Sequence, residues 1–202
     1  VKDPNSGVVQ SINLPYYSSP KVLTNTTYLY QYSLGVPQNG STDGFTFSNY
    51  NTGTPVASTQ HFVGITNNYT LELHGEAQAA NFGNLGISHN NIWFNKFAIS
   101  LTTAMSASES TGNGYLLGFN FSRQSSLPNT LGWGININYY TNNFAQLGQL
   151  NGQEFPLQQT IFANYMFGNN LSASIGYSKN QSLDTGQQMS ILNGSLSWQL
   201  VK

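Results

Sequence analysis

Apolar and polar side chains alternate along most of this chain with a period of two, most cleanly between Thr70 and Ala79. Leu71, Leu73, Gly75, Ala77 and Ala79 fall on one side of an extended strand, and Glu72, His74, Glu76 and Gln78 on the other. The stretch from Pro55 that precedes them is also strand-like, and the Asn-rich corner Thr66-Asn67-Asn68 predicts a tight hairpin turn. One face of this hairpin is smooth and apolar. The other carries most of the charge found inside any strand of the protein.

The same rhythm predicts strands elsewhere. Val8–Leu14 is short and closed by Pro15; Thr27–Val36 places Tyr28, Tyr30, Tyr32, Leu34 and Val36 on one face; Phe45–Tyr50 is weaker. Asn84–Asn90 and Phe94–Ser108 follow, separated by polar residues near Asn90-Asn91. In the second of these Phe97, Ile99, Leu101, Thr103, Met105 and Ala107 alternate with small or hydroxylated residues. Further strands are expected at Tyr115–Ser122, Leu131–Tyr140, Ile161–Phe167, Leu171–Tyr177 and Leu192–Leu200. Helical periodicity is absent, because Asn or Gly interrupts each window long enough to hold it. The expectation is an all-β chain of about eleven or twelve antiparallel strands, each roughly 8–14 residues long. Short turns (Asn67-Asn68, Gly168-Asn169-Asn170) contrast with long polar loops at Phe144–Pro156 and Asn180–Gln188, the layout of an outer-membrane barrel.

Composition sharpens that choice. Charged residues are only 6% of the 202, aromatics are 13%, and the net charge is −1. Nucleic acid is therefore not an expected partner, and disordered chains lean the opposite way. There is no cysteine, which excludes disulfides and thiolate metal sites. No apolar run approaches the ~18 residues of a transmembrane helix. The chain begins at Val1 with no charged-then-apolar leader, so no signal peptide is expected and the chain is either mature or part of something larger.

Two features favour a membrane barrel over a soluble sandwich. The strands exceed the ~5–6 residues usual in soluble sheets and match a tilted crossing of about 9–11. Their polar faces also carry Ser, Asn, Gly, Thr and Gln rather than Lys, Glu and Arg, which suits the inside of a water-containing barrel. Aromatics near strand ends (Tyr16, Tyr17, Trp93, Phe94, Tyr139, Tyr140, Tyr165, Phe167) fit interfacial girdles, and equally fit ordinary strand propensity. On the barrel reading Leu71, Leu73, Ala77, Phe97, Ile99 and Leu101 face lipid, and Glu72, His74, Glu76 and Gln78 form a polar ladder facing the lumen.

The order of motifs resembles fimbrial outer-membrane ushers of the chaperone–usher pathway. SINLPYYSSPKVLTNTTYLYQYSLGVPQ, Ser11 to Gln38, resembles the segment that follows the plug domain, with its Pro-Tyr pair and its "L…Y…G" entry into the barrel. PVASTQHFVGITNNYTLELHGEAQ resembles the next hairpin, with its corner at Gly64-Ile65-Thr66 and its strand at Thr70–Glu76. Asn81–Ile87, Tyr115–Arg123, Asn169–Ser178 and Asn193–Leu200 continue in family order. The resemblance implies residues 1–17 as a leading strand at the end of a plug domain and residues 18–202 as a barrel segment. It further implies location in the bacterial outer membrane, export and assembly of pilus subunits, and no cofactor. Partners through the parent protein would be outer-membrane lipid, the plug domain, and periplasmic chaperone–subunit complexes. A complete barrel of this family has about two dozen strands, so this chain would supply about half. Its low charge departs from relatives that place more Arg and Lys in the lumen.

Chemical sites are hard to build from these residues. Glu72 and Glu76 share a strand face about 13 Å apart, too far for a glycosidase pair at roughly 5–9.5 Å. His74 lacks identifiable further metal ligands, and His61 and His89 read as ordinary strand or loop residues. Gly112-Asn113-Gly114 and Gly132-Trp133-Gly134 lack the strand-to-helix context of a phosphate loop, and no Gly-x-Ser-x-Gly elbow exists. The chain is not expected to be an enzyme. Two alternatives to the usher segment remain: a self-contained porin-like barrel of 10 or 12 strands, and a secreted adhesin-like β-domain. Closure separates the first, since Val8–Leu14 or Thr27–Val36 would then pair with Gly194–Leu200. Packing of sheet on sheet identifies the second.

Overall fold

A computed structural model describes residues 22–36, 54–79, 81–94, 96–123, 129–147, 155–168, 171–182 and 185–198. They form one antiparallel sheet and no helix. Its strands are β1 (Tyr28–Gly35), β2 (Val56–Thr66), β3 (Tyr69–Gln78), β4 (Phe82–Trp93), β5 (Phe97–Ser108), β6 (Gly112–Arg123), β7 (Leu131–Tyr140), β8 (Leu157–Phe167), β9 (Leu171–Gln181) and β10 (Gln188–Trp198). Each strand pairs with its neighbours in chain order, a simple meander. β1 and β10 are its two edges and do not pair with one another. The strand candidates at Val8–Leu14 and Phe45–Tyr50, the segment 1–17, and Tyr16 and Tyr17 lie outside the described residues.

Register explains the two faces. One row runs Glu72, Ser88, Thr102, Gly118, Asn138, Gln158, Asn180 across successive strands, and every member is polar or glycine. A row three residues away, on the other face, reads Ile99, Phe121, Ile135, Ile161, Tyr177, Leu192. A one-residue slip at any pairing would exchange these sets, so the alternation itself locks the register.

Burial is inverted relative to a water-soluble sheet. Thr70, Glu72, Asn84, Ser88, Asn90, Ser100, Thr102, Ser106 and Ser122, all on the polar face, are buried. Leu73, Leu85, Leu101, Met105, Leu117, Phe119, Ile161, Ile175 and Leu196, on the apolar face, are exposed. No second sheet covers either face among the described residues; the polar side is most buried where residues 22–27 and 141–147 lie across it, as at Thr70, Asn84 and Ser106. That inner face is most enclosed from β3 to β7 and opens toward β10.

Three expectations about chain course are corrected. The strand does not end at Asn90: β4 continues to Trp93, β5 begins at Phe97, and Lys96 N–H donates to Trp93 O at 3.0 Å. Asn90 stays in the ladder because its side chain points inward and donates to Glu72. Tyr140 does not belong to an outer aromatic rim. It occupies an inward position of β7 and is only 2% exposed. Loops also do not divide cleanly by length, since the edge that carries the connection from β7 to β8 also carries the short connections from β3 to β4 and from β5 to β6.

The candidate functional site: a polar inner face

Among the described residues, β3 supplies the acidic and imidazole side chains of the inner face. Glu72, His74, Glu76 and Gln78 all point inward, opposite Leu71, Leu73 and Ala77. Phe97, Ile99 and Leu101 lie on the same outer face as those apolar residues. Glu72 is 4% exposed and held from both neighbouring strands. Gln60 Nε2 donates to its Oε1 at 2.7 Å, and Asn90 Nδ2 donates to its Oε2 at 3.3 Å. A carboxylate at this depth requires such donors to offset desolvation.

Glu76 has different partners. His74 Nε2 stands 3.2 Å from its Oε1, an ion pair when the imidazole is protonated, and Leu147 N–H donates to its Oε2 at 2.9 Å. Glu72 and Glu76 therefore occupy separate environments and share no proton-transfer geometry. No group of three His, Cys, Asp or Glu side chains able to hold a metal occurs among the described residues.

Two stretches of backbone lie across this polar face. Before β1, Leu23 N–H donates to the buried Thr70 hydroxyl at 2.7 Å, and Thr26 N–H to Gly64 O at 3.0 Å. Gly64 leaves room for this crossing, because a Cβ there would overlap the Thr24 carbonyl. At the other end of β3, residues 141–147 fold inward after β7. Ala145 N–H donates to Ser106 Oγ at 2.9 Å, and Asn84 Nδ2 to Ala145 O at 3.1 Å. Phe144 and Ala145 are fully buried. The Phe144 ring enters a small apolar socket of Ala104, Leu116 and Tyr140, its centroid 5.5 Å from that of Tyr140.

Beyond these elements the inner wall is neutral and low. Ser88 and Thr102 hydroxyls meet at 2.7 Å, and Thr160 and Ser178 at 3.2 Å. The cationic side chains that the structure describes all avoid it. Arg123 and Lys179 sit in outward register positions, and Lys96 lies just before β5.

The outer face carries aromatic groups toward its ends. Phe97, Phe121 and Trp133 form one cluster, with centroids 5.7 Å apart for the phenylalanines and 5.3 Å for Phe121–Trp133. His61 and His89, which sequence alone left without partners, both pair with outer-face tyrosines. His61 packs edge-on against Tyr32 at 5.2 Å, and His89 Nδ1 lies 2.6 Å from the Tyr69 hydroxyl. Cross-strand register brings these pairs together, and no local sequence signal announces it.

No family model, no curated protein and no solved structure matches this chain.

Proposed function

We propose that this chain is the wall of an outer-membrane β-barrel, and within that class the pore segment of a fimbrial usher that exports and assembles pilus subunits. The inverted burial carries the membrane reading. Exposed Leu, Ile, Met and Phe cover most of one face of a ten-stranded sheet, far beyond the few hundred Å² that a soluble monomer tolerates. Lipid is the solvent in which that face is stable, and a water-filled interior is the one that suits buried Ser, Thr and Asn. Most strands have 10 to 12 residues, enough to cross a bilayer at a tilt.

The usher assignment rests on the ordered motifs from Ser11 to Leu200. It is supported by the course of the chain before β1, which crosses the polar side at Thr70, the side on which a plug domain would lie. The unpaired β1 and β10 edges fit a segment of a larger barrel, because open edges in lipid leave backbone groups unsatisfied. An even number of strands gives the porin-like alternative its support, since β10 could close antiparallel onto β1 after rearrangement.

All three tryptophans, Trp93, Trp133 and Trp198, occupy outward positions at the same end of the sheet. In phospholipid vesicles their fluorescence is expected to be quenched by brominated lipid and shielded from aqueous acrylamide. The opposite pattern would overturn the membrane reading. For the usher reading, the full-length parent is expected to retain periplasmic chaperone–subunit complexes, and cells lacking it are expected to lose surface pili.

A further inference from the structure

The inward fold of residues 141–147 is built, not incidental. Phe144 completes an apolar cluster of buried residues with Ala104, Leu116 and Tyr140, next to the buried hydroxyl of Ser106 and amide of Asn84. Gly114 on β6 makes the docking possible, since a Cβ there would overlap the Phe144 backbone. Backbone groups on either side of the anchor are satisfied by the wall. Thr141 N–H donates to Tyr115 O at 2.9 Å, Thr111 Oγ1 to Asn143 O at 3.0 Å, and Leu147 N–H to Glu76 at 2.9 Å. The segment thus spans the inner face from β6 across β5 and β4 to β3.

We propose that residues 141–147 are a docked constriction inside the passage, a specificity element that sets the size of what passes and must leave the wall before a folded protein domain can. The inference rests on the passage reading above. Chain lying against the inner wall reduces the bore, and a short segment held by one buried ring and a few hydrogen bonds can be released as a unit. Glu76 is the side-chain acceptor that fixes its far end.

The absence of cysteine makes the test direct. Ser106→Cys places a near-isosteric thiol beneath Ala145, and its reaction with a water-soluble maleimide reports docking. In the full chain reconstituted into vesicles, this thiol is expected to react slowly. Adding Phe144→Ala, or Gly114→Ala as an independent second variant, is expected to speed the reaction several-fold. In planar bilayers the same releasing variants are expected to raise conductance and admit larger neutral polyethylene glycols. A Ser106→Cys/Ala145→Cys disulfide is expected to reverse both effects of Gly114→Ala. A thiol that reacts fast without any releasing substitution overturns the docking. Release without change in conductance or polymer cut-off overturns the constriction while leaving the passage intact. No conductance in any variant overturns the passage reading, and the constriction with it.

Discussion

The Asn164 side chain on β8 lies flat across Gly132 of β7, so close that a Cβ at Gly132 would overlap its Oδ1. The arrangement recurs on the inner face. A Cβ at Gly118 would stand 2.8 Å from Asn138 Oδ1, and one at Gly176 would stand 2.5 Å from Asn193 Oδ1. Each amide thus rests along the wall over a glycine instead of projecting into the interior. In the proposed passage, the wall would gain polarity in this way without losing bore. Gly132→Ala is therefore expected to force Asn164 off the wall and destabilise the sheet by about 1–3 kcal/mol. Gly83→Ala, with nothing within 4 Å of the added carbon, is expected to stay within about 0.5 kcal/mol. Denaturant titration of both variants in lipid vesicles measures the difference, and equal shifts would sink this account of the glycines.

Charge placed on the two faces separates lipid from water. Leu101 is exposed in the middle of β5 on the apolar face, and Ser174 is exposed on the polar face of β9. In a bilayer, Leu101→Lys is expected to cost about 2–4 kcal/mol, the toll for a lysine near the hydrocarbon midplane. Ser174→Lys meets water and is expected to cost under about 0.5 kcal/mol. Urea unfolding in vesicles reads both. If the two substitutions cost the same, the apolar face does not meet lipid.

Period-two patterning made most of the sheet legible. β7 runs from Leu131 to Tyr140 as the alternation implies, and Asn67-Asn68 turns β2 into β3. The division of β3 into Leu71, Leu73, Ala77 against Glu72, His74, Glu76 is present in the structure because a strand leaves no other choice. What escaped the sequence depended on partners far away in the chain. Asn90 looks like a turn residue until Glu72 is seen to accept from it, 18 positions distant. Phe144 looks like the start of a free loop until Gly114 and the Ala104–Leu116–Tyr140 socket are in place. Tyr140 reads as a rim aromatic because local pattern cannot tell which of two adjacent tyrosines meets that socket.

The segregation of charge sets an expected selectivity for the proposed passage. Among the described residues, the acidic and imidazole groups in inward positions are Glu72, His74 and Glu76, while Arg123 and Lys179 face outward. Acidic groups within a Debye length of about 8 Å of an aqueous path attract cations, and low-dielectric walls focus that field. A potassium chloride gradient across a planar bilayer is expected to give a reversal potential of cation-preferring sign. Glu72→Gln with Glu76→Gln is expected to move it toward zero. A reversal potential that favours chloride, or one that the double substitution leaves unmoved, contradicts the assignment.

Phe94 offers the sharpest contrast between solvents. Its backbone sits at φ 52°, a left-handed conformation that costs a residue with a Cβ about 1–2 kcal/mol, and its ring is 85% exposed. In water such a position favours Gly or Asn, and Phe94→Gly would be stabilising or neutral. At a bilayer interface the ring gains burial worth about 1.5–3 kcal/mol, which outweighs the strain. Glycine also enlarges the entropy of the unfolded chain. In vesicles, Phe94→Gly is therefore expected to lower stability by about 1 kcal/mol, while Phe94→Trp retains it. The same pair of variants in denaturant titrations decides the sign. A stabilised Phe94→Gly protein would mean that this end of the sheet stands in water.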